Sequence, residues 1–176
     1  MTIMNKSIIA VLGFCLIASV SFAQKFGYCN SNALLADLPE VKQADTNLKN
    51  YQTQLTNKGQ NMVKAYQEAA ASLQKKQDEG VISPNDIKRQ TEKLQKDQEA
   101  IQSYEKEVYE KLASKRSELF TPILDAVNKA MADVAKEQGM MYVFDTGSSV
   151  LLYADESLDV TTLVKEKYNS SKASKE

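Results

Sequence analysis

A single stretch of the sequence has the residue types of a hydrolytic site. In Tyr142-Val-Phe-Asp145-Thr-Gly-Ser-Ser149 a carboxylate follows an apolar run and precedes threonine and glycine. Hydrolysis by carboxylates needs two of them sharing a proton, so that one acts as base and the other as acid. The chain carries the stretch once. Asp-Thr-Gly is also ordinary turn chemistry between strands. We therefore interpret it as the turn of a hairpin and expect no enzyme activity.

This stretch resembles the hydrophobic-Asp-Thr-Gly-Ser motif of pepsin-like aspartic proteases. Those enzymes carry the motif twice, although a retroviral-type dimer could supply the second copy. Their fold is nearly all β, whereas a long helical stretch is predicted ahead of Asp145. The protease interpretation stays the minor alternative, and Asp145→Asn tests it.

Other catalytic and ligand-binding chemistry is missing from the sequence. The chain has no histidine, which excludes Ser-His-Asp and Cys-His mechanisms and histidine-based zinc sites. It has no Gly-x-x-x-x-Gly-Lys loop for nucleotide phosphates and no cysteine cluster with metal spacing. We expect no cofactor, no metal and no nucleotide hydrolysis. With 22 basic and 23 acidic side chains, bulk charge gives no reason to expect nucleic acid as a partner.

Residues 1–23 have the layout of a cleavable signal peptide. Lys6 precedes a continuous apolar run from Ile8 to Val20, and Ser21-Phe-Ala23 puts small residues before a cut between Ala23 and Gln24. A lipoprotein anchor at Cys15 is the rival, which the bulky Phe14 disfavours. We expect export to the periplasm without a stable membrane anchor.

One cysteine, Cys29, remains after that cleavage, so an internal disulfide is excluded. It lies in a strand-like Phe-Gly-Tyr-Cys run. A small buried apolar residue is the favoured interpretation. An intermolecular disulfide or reactive thiol is the alternative.

The middle of the chain predicts an antiparallel helical hairpin with an arm over residues 41–118. Good helix formers dominate, and proline at Pro39 suits the first turn of a helix that runs to about Asp78. Residues 80–86 predict the turn, with Ser83 as N-cap of the second helix. Apolar residues recur at steps of three, four and seven, as in a coiled coil, at Val41, Ala44, Leu48, Tyr51, Leu55, Met62, Ala65, Ala69 and Leu73, then at Ile87, Leu94, Ile101, Val108 and Leu112.

In an antiparallel hairpin, the numbers of two facing residues add up to the same value along its length. The apolar residues of the two predicted helices can be paired in this way, and the centre of the pairing then falls in the predicted turn. This register places Leu55 opposite Leu112, Gly59 opposite Val108 and Tyr51 opposite Arg116. The seam is thin because charged and glutamine residues interrupt it, so the arm should bend. The predicted hinges are Gly59 in the first helix and Pro122 in the second.

The two ends of the chain predict a small β body, from residues 24–40 and 119–168. Its predicted elements are strands over 25–30, 140–145 and 150–154 and a final helix over 160–168, begun by Asp159, before a disordered tail over 169–176. The strands are apolar on both faces, so they need cover on both sides. Other copies of the chain are expected to provide this cover, so we expect an oligomer. The fold class of the chain is predicted to be α+β.

Tyrosines and methionines of the arm are the candidate contacts for apolar segments of other proteins, although most of them could instead be ordinary seam residues. Methionine and tyrosine suit adaptable contacts of low specificity. The predicted contact residues are Tyr51, Met62, Tyr66, Tyr104 and Tyr109.

The layout resembles the Skp/OmpH family of periplasmic chaperones over essentially the whole mature chain. The resemblance rests on ordered short segments: Lys25-Phe-Gly-Tyr-Cys-Asn-Ser31, Pro122-Ile, Ala130 to Gly139, Tyr142-Val-Phe-Asp145, Val150 to Asp155, and Leu158-Asp-Val-Thr161. It implies a homotrimer with a β-barrel body and three helical tentacles that hold unfolded outer-membrane proteins without ATP. The best-known members are strongly basic, but this chain has a net charge of −1, so no lipopolysaccharide site is carried over.

The alternative function is an envelope structural or adaptor protein that uses the coiled-coil arm as a spacer or docking element. Such a spacer should have a dense seam and one preferred partner. The thin seam favours the chaperone.

Overall fold

The computed structural model of the chain describes residues 25–148 and 151–173. The elements in chain order are β1 (Lys25–Cys29), α1 (Ser31–Asp37), α2 (Pro39–Asp78), α3 (Pro84–Glu137), β2 (Met140–Asp145) and α4 (Thr161–Ala173), with short 3-10 turns at Thr146–Ser148 and Glu156–Leu158. The predicted α+β class, with a long helical hairpin and a small sheet, is confirmed.

Contacts divide the chain into two compact units. The hairpin unit is residues 31–130, and the described part of the sheet unit is residues 25–30, 131–148 and 151–173. The sequence placed the corresponding boundaries near residues 40 and 118, whereas the contacts change near residues 30 and 130.

α2 begins and ends where the sequence predicts, and α3 begins directly after the predicted cap Ser83. α2 has 40 residues with proline in its first turn, and α3 has 54. Gly80, at φ 70°, ends α2: its N–H and that of Val81 donate to the carbonyls of Gln77 and Lys76, both over 3.1 Å. Ser83 caps α3, since its Oγ accepts from the N–H of Asp86 at 3.2 Å. The connection is shorter than predicted, because residues 84–86 already form the first turn of α3.

α3 is continuous through Pro122 to Glu137. Its end is set by Gly139 at φ 66°, whose N–H donates to the carbonyl of Lys136 over 3.1 Å. β2 begins at the next residue.

The sheet differs from the predicted one. β1 and β2 pair in parallel, with Phe26 opposite Tyr142 and Cys29 opposite Asp145. The predicted hairpin between residues 140–145 and 150–154 is wrong, because the described residues 151–154 lie in no strand. Val150 lies outside the described residues.

Local hydrogen bonds at Asp145 close a tight turn directly after β2. Its Oδ1 accepts from the N–H of Gly147 at 2.9 Å, and its carbonyl accepts from the Ser148 hydroxyl at 3.0 Å. These bonds wind Thr146–Ser148 into a 3-10 turn. The predicted turn at Asp-Thr-Gly is present as a 3-10 turn, and the described residues 151–154 beyond it form no strand.

The sheet unit has a small buried core. Its buried residues are Cys29, Val134, Val160, Val164 and Tyr168. The start of α4 is tied to the end of β1: the N–H of Val160 donates to the carbonyl of Tyr28 at 2.9 Å, and the N–H of Asn30 to Oγ1 of Thr161 at 3.0 Å.

α4 begins as predicted and ends later. Asp159 caps it by accepting from the N–H of Thr161 at 2.8 Å. The predicted disordered tail over 169–176 is wrong for residues 169–173, which are helical. The Ser171 hydroxyl donates to the carbonyl of Tyr168 at 2.7 Å and Lys172 lies 5.1 Å from the Tyr168 ring centroid, so the last turn has contacts that composition alone did not indicate.

Candidate functional site

Tyr104 joins α2 and α3 in the middle of the hairpin unit. Its hydroxyl donates to the carbonyl of Leu55 over 3.1 Å. A Cβ added at Gly59 would lie 3.4 Å from its ring, and Nζ of Lys58 lies 4.9 Å from the ring centroid. Only 5% of Tyr104 is exposed. The hairpin itself therefore occupies most of the Tyr104 side chain and leaves little of it for the predicted contact with other proteins.

This contact differs from the predicted register. The predicted register placed Leu112 opposite Leu55 and Val108 opposite Gly59. Tyr104 contacts both Leu55 and Gly59 instead, and it lies one to two helical turns nearer the loop than the predicted partners. Heptad patterns repeat, so a shift of about a turn leaves the apolar spacing equally well matched. The tyrosine hydroxyl needs an acceptor once it is buried, and the bare backbone at Gly59 gives its ring space.

Arg116 was expected to face Tyr51, and its guanidinium lies 5.5 Å from the ring centroid of Phe120 on its own helix. Tyr51 contributes to the electrostatic surroundings of Lys111 on α3. The pKa of Lys111 is raised, chiefly by a hydrogen bond from Lys111 to Glu107 at 2.9 Å and by the charge of that carboxylate, and also by Tyr51.

The other predicted contact residues keep accessible surface on the hairpin. Tyr51, Met62 and Tyr66 are half-buried, and Tyr109 is 77% exposed. A cavity of ≈ 380 Å³ lies beside Tyr109 and brings together Leu55, Thr56, Gly59, Tyr104, Glu105, Val108 and Tyr109. The predicted pair Gly59 and Val108 thus line one space. The hairpin offers an apolar and aromatic surface there with a polar rim.

The hairpin seam leaves most of its apolar residues half-buried. In α2 and the first part of α3 the buried apolar residues are Ala44, Leu55, Leu73 and Tyr104. Ile87, Leu94, Ile101, Val108 and Leu112 are half-buried, and Ala65 is exposed. The two helices of one chain therefore cover each other's apolar residues only in part, as expected for a thin seam.

An exposed aromatic face on the sheet is the second candidate site. Phe26, Tyr142 and Phe144 form a cluster with ring centroids 6.0 to 6.4 Å apart. They are 39%, 59% and 44% exposed. A cavity of ≈ 300 Å³ adjoins it, lined by Phe26, Gly27, Tyr28, Phe144, Leu151, Tyr153, Ala154, Asp155 and Leu158. We call Phe26, Tyr142 and Phe144 the aromatic face.

The sequence indicated apolar strands but not this cluster. Its signal was the spacing of Tyr142 and Phe144, since residues two apart lie on the same side of a strand. The parallel pairing adds Phe26 to that side. Leu152 and Tyr153, after β2, are exposed as well, at 98% and 84%.

Cys29 has the surroundings of an inert core residue. It is fully buried, and burial raises the pKa of its thiol. A hydrogen bond with Thr161 acts the other way, while the carboxylates of Asp159 and Asp145 raise the pKa further. A thiol that resists ionisation is a poor nucleophile. This supports the structural interpretation of Cys29 over a reactive one.

The carboxylates of Asp155 and Asp159, near the end of β1, accept local hydrogen bonds that stabilise the fold. Asp155 accepts from the N–H and the hydroxyl of Ser157, at 2.9 and 2.6 Å, which lowers the pKa of Asp155. Asp159 caps α4. Within residues 25–148 and 151–173, no cluster of three or more metal-ligating side chains could hold an ion.

Gly59 and Pro122, the predicted hinges, both lie inside continuous helices. The signal peptide and its cleavage between Ala23 and Gln24 lie outside the described residues. In the part of the chain that is described, no helix combines the length and apolar character needed to cross a membrane.

Comparison with known proteins gives one family and one fold. The sequence profile described as outer membrane protein (OmpH-like) matches residues 25–168. An uncharacterized protein of Aquifex aeolicus (strain VF5) is 25% identical over 149 residues, which cover 85% of this chain and 88% of that protein. A crystal structure of a candidate outer membrane chaperone (OmpH-like) from Caulobacter crescentus CB15 superposes with a TM-score of 0.72 at 16% identity, covering 84% of this chain and 85% of that one.

Proposed function

This chain belongs to the OmpH-like family, and from that premise we propose that it is an ATP-independent holding chaperone of the periplasm. Its clients are unfolded outer-membrane proteins, which it keeps from aggregating before membrane insertion. The name of the Caulobacter neighbour, a candidate outer membrane chaperone, agrees with this role.

The observation that carries the proposal is the half-covered seam of the hairpin unit. Apolar residues recur along two helices of 40 and 54 residues, yet most of them stay half-buried. A spacer or adaptor gains stability from a closed seam. A surface that must accept many sequences gains from partly exposed apolar and aromatic side chains, such as Met62, Tyr66 and Tyr109, that can repack.

Client chemistry fits such a surface. Strands of outer-membrane barrels alternate apolar and polar residues, and before insertion their backbone groups are unpaired, so they aggregate in water. Many weak contacts along a helix pair can shield such a strand. Because each contact is weak, the client can leave without an energy source.

The proposal includes a homotrimer assembled through the sheet unit. The aromatic face, with exposed Met141, Leu152 and Tyr153 nearby, is more apolar surface than a small soluble unit usually leaves open. Cover by other copies removes this surface from water. The mass in solution, measured by analytical ultracentrifugation, should be three times that of the mature chain.

The location follows from the proposed signal peptide. Export and cleavage leave Gln24 as the first residue, with no membrane anchor. Sequencing the amino terminus of protein recovered from the periplasm tests this, and a chain that retains residues 1–23 would contradict it.

Aggregation suppression tests the function. Unfolded porin is diluted from urea without ATP, with and without the purified mature protein, and light scattering is followed. A stoichiometric amount of oligomer should abolish most of the scattering. A variant with Met62→Ser, Tyr66→Ser and Tyr109→Ser should protect less. Leu163→Ser, on the sheet unit at 40% exposure, is the control and should protect fully. Unchanged scattering with the wild-type protein would favour the adaptor alternative.

A further inference from the structure

At one point in the hairpin unit, a side chain of α3 engages the backbone of α2. The hydroxyl of Tyr104 donates to the Leu55 carbonyl at 3.1 Å. In a continuous α-helix that carbonyl also accepts from the N–H of Gly59, four residues further on. The two lone pairs of the oxygen allow both bonds. A side chain that engages a carbonyl of the helix ladder can set a local helix angle.

The same tyrosine covers the weakest point of that helix. Glycine is the least favourable residue in a helix interior apart from proline, so α2 should bend most easily near Gly59. The ring of Tyr104 packs against this residue, as a Cβ there would lie 3.4 Å from Cε1. Lys58 lies over the ring, with Nζ 4.9 Å from its centroid. Three contacts from one side chain thus converge on residues 55–59.

We propose that Tyr104 is a positioning residue whose bond to Leu55 fixes the angle of α2 at Gly59. We call Tyr104, Leu55 and Gly59 the mid-hairpin lock. When the bond opens, α2 gains freedom to bend at Gly59. The use of this bending, to fit the hairpin to clients of different size, rests on the proposed chaperone function. The lock itself is a property of the hairpin.

The position of the lock connects it to client contact. The ≈ 380 Å³ cavity is lined both by the three lock residues and by Tyr109 and Val108, which are accessible. A client side chain that enters this cavity meets the Tyr104 ring. Client contact and helix angle are therefore coupled at this place.

Distance measurement between two spin labels on α2 tests the lock. Asn50→Cys and Ser72→Cys, in a Cys29→Ala background, are exposed positions on either side of it. At the α-helical rise per residue their backbones lie about 33 Å apart along a straight helix. Labelled chains are diluted with unlabelled protein so that each oligomer carries one pair. Tyr104→Phe, which removes only the hydroxyl, should widen the distance distribution about twofold. Tyr109→Phe is the matched control and should leave it unchanged.

The outcomes decide the proposal. An unchanged distribution in Tyr104→Phe, or equal widening in both variants, would overturn it. Circular dichroism should show full helix content in Tyr104→Phe, and lost helix would likewise overturn the idea of a local joint. Gly59→Ala offers a change of opposite sign, because alanine stiffens the helix at this point, and it should narrow the distribution.

Measurements of client affinity distinguish a specific positioning role of Tyr104 from a general weakening of the hairpin. Dissociation constants are measured for unfolded porin and for a single hairpin of the same porin. In Tyr104→Phe their ratio should change by about threefold or more, because bending alters how many hairpin residues a short client reaches. A merely weakened hairpin would lower both affinities together, which would contradict the positioning role. If the wild-type protein binds neither client, the proposed function fails, while the distance measurement still decides the lock.

Discussion

The two units of the chain use their aromatic residues in opposite ways. In the sheet unit Tyr168 is 1% exposed within a small core, while Phe26, Tyr142 and Phe144 form an open face. In the hairpin unit Tyr104 faces inward, and Tyr51, Met62 and Tyr66 are half-buried along the seam. A clustered face of fixed rings suits one defined partner. A row of half-covered side chains suits many. The difference separates an assembly surface from a client surface.

The largest expected effect contrasts two tyrosines. Tyr168→Ala removes a buried ring from the sheet unit and should lower the free energy of unfolding by about 3–5 kcal/mol. Tyr66→Ala, at a half-buried seam position, should cost about 1 kcal/mol. Urea denaturation at one protein concentration measures both, since association also affects stability. Equal losses would remove the contrast between a dense core and a loose seam.

The next effect concerns association. Tyr142→Glu with Phe144→Glu puts charges into the aromatic face and should weaken self-association by about 100-fold or more, because a buried unpaired charge is costly. Tyr109→Glu introduces the same charge at the 77% exposed position of the hairpin and should leave the mass unchanged. Sedimentation across a range of concentrations distinguishes them. A trimer that survives the double substitution would place the assembly surface elsewhere.

A smaller effect follows from the buried thiol. Because the folded chain raises the pKa of Cys29 above its ordinary value of 9.0, the unfolded chain loses this proton first. The stability from the neutral thiol is therefore present below about pH 9 and falls as the pH rises further, by at most about 1.4 kcal/mol per pH unit. The urea midpoint of unfolding should fall less between pH 7 and pH 10 in Cys29→Ala than in the wild type. Parallel declines would show that the thiol takes no part.

The smallest effect concerns the carboxylate that resembles a catalytic one. Asp145→Asn keeps an acceptor oxygen for the N–H of Gly147. It should change stability by less than about 0.5 kcal/mol, with client protection unchanged. Asp145→Ala removes the acceptor and should cost about 1 kcal/mol. Thermal unfolding measures the pair. Loss of a pepstatin-sensitive proteolytic activity in Asp145→Asn would instead support the protease alternative.

Local sequence signals predicted the hairpin helices well. Proline at Pro39, glycine at Gly80 and the cap at Ser83 act within a few residues, so the bounds of α2 and the start of α3 follow from the sequence. The register across the hairpin did not follow. Repeating apolar spacing allows several alignments, and the contact of Tyr104 with Leu55 depends on how a buried hydroxyl finds an acceptor.

The sheet was harder to predict for a different reason. β1 and β2 pair although more than a hundred residues separate them in the sequence, and the local sequence of either strand does not indicate which strand it pairs with. Asp145-Thr-Gly looked like the turn of a local hairpin, and only its hydrogen bonds to Gly147 and Ser148 reveal the 3-10 turn. The candidate surfaces divide in the same way. Met62 and Tyr66 were predicted as contact residues from their residue types on the arm, whereas the aromatic face needed the parallel pairing to bring Phe26 beside Tyr142.

Site-specific photocrosslinking tests the division of labour between the two units most directly. A photoreactive phenylalanine analogue is placed at Met62 on the hairpin or at Tyr142 on the aromatic face, and unfolded porin is added before illumination. We expect Met62 to crosslink to porin and Tyr142 to a second copy of the chain, with or without porin. Porin crosslinked at Tyr142 and not at Met62 would contradict the account.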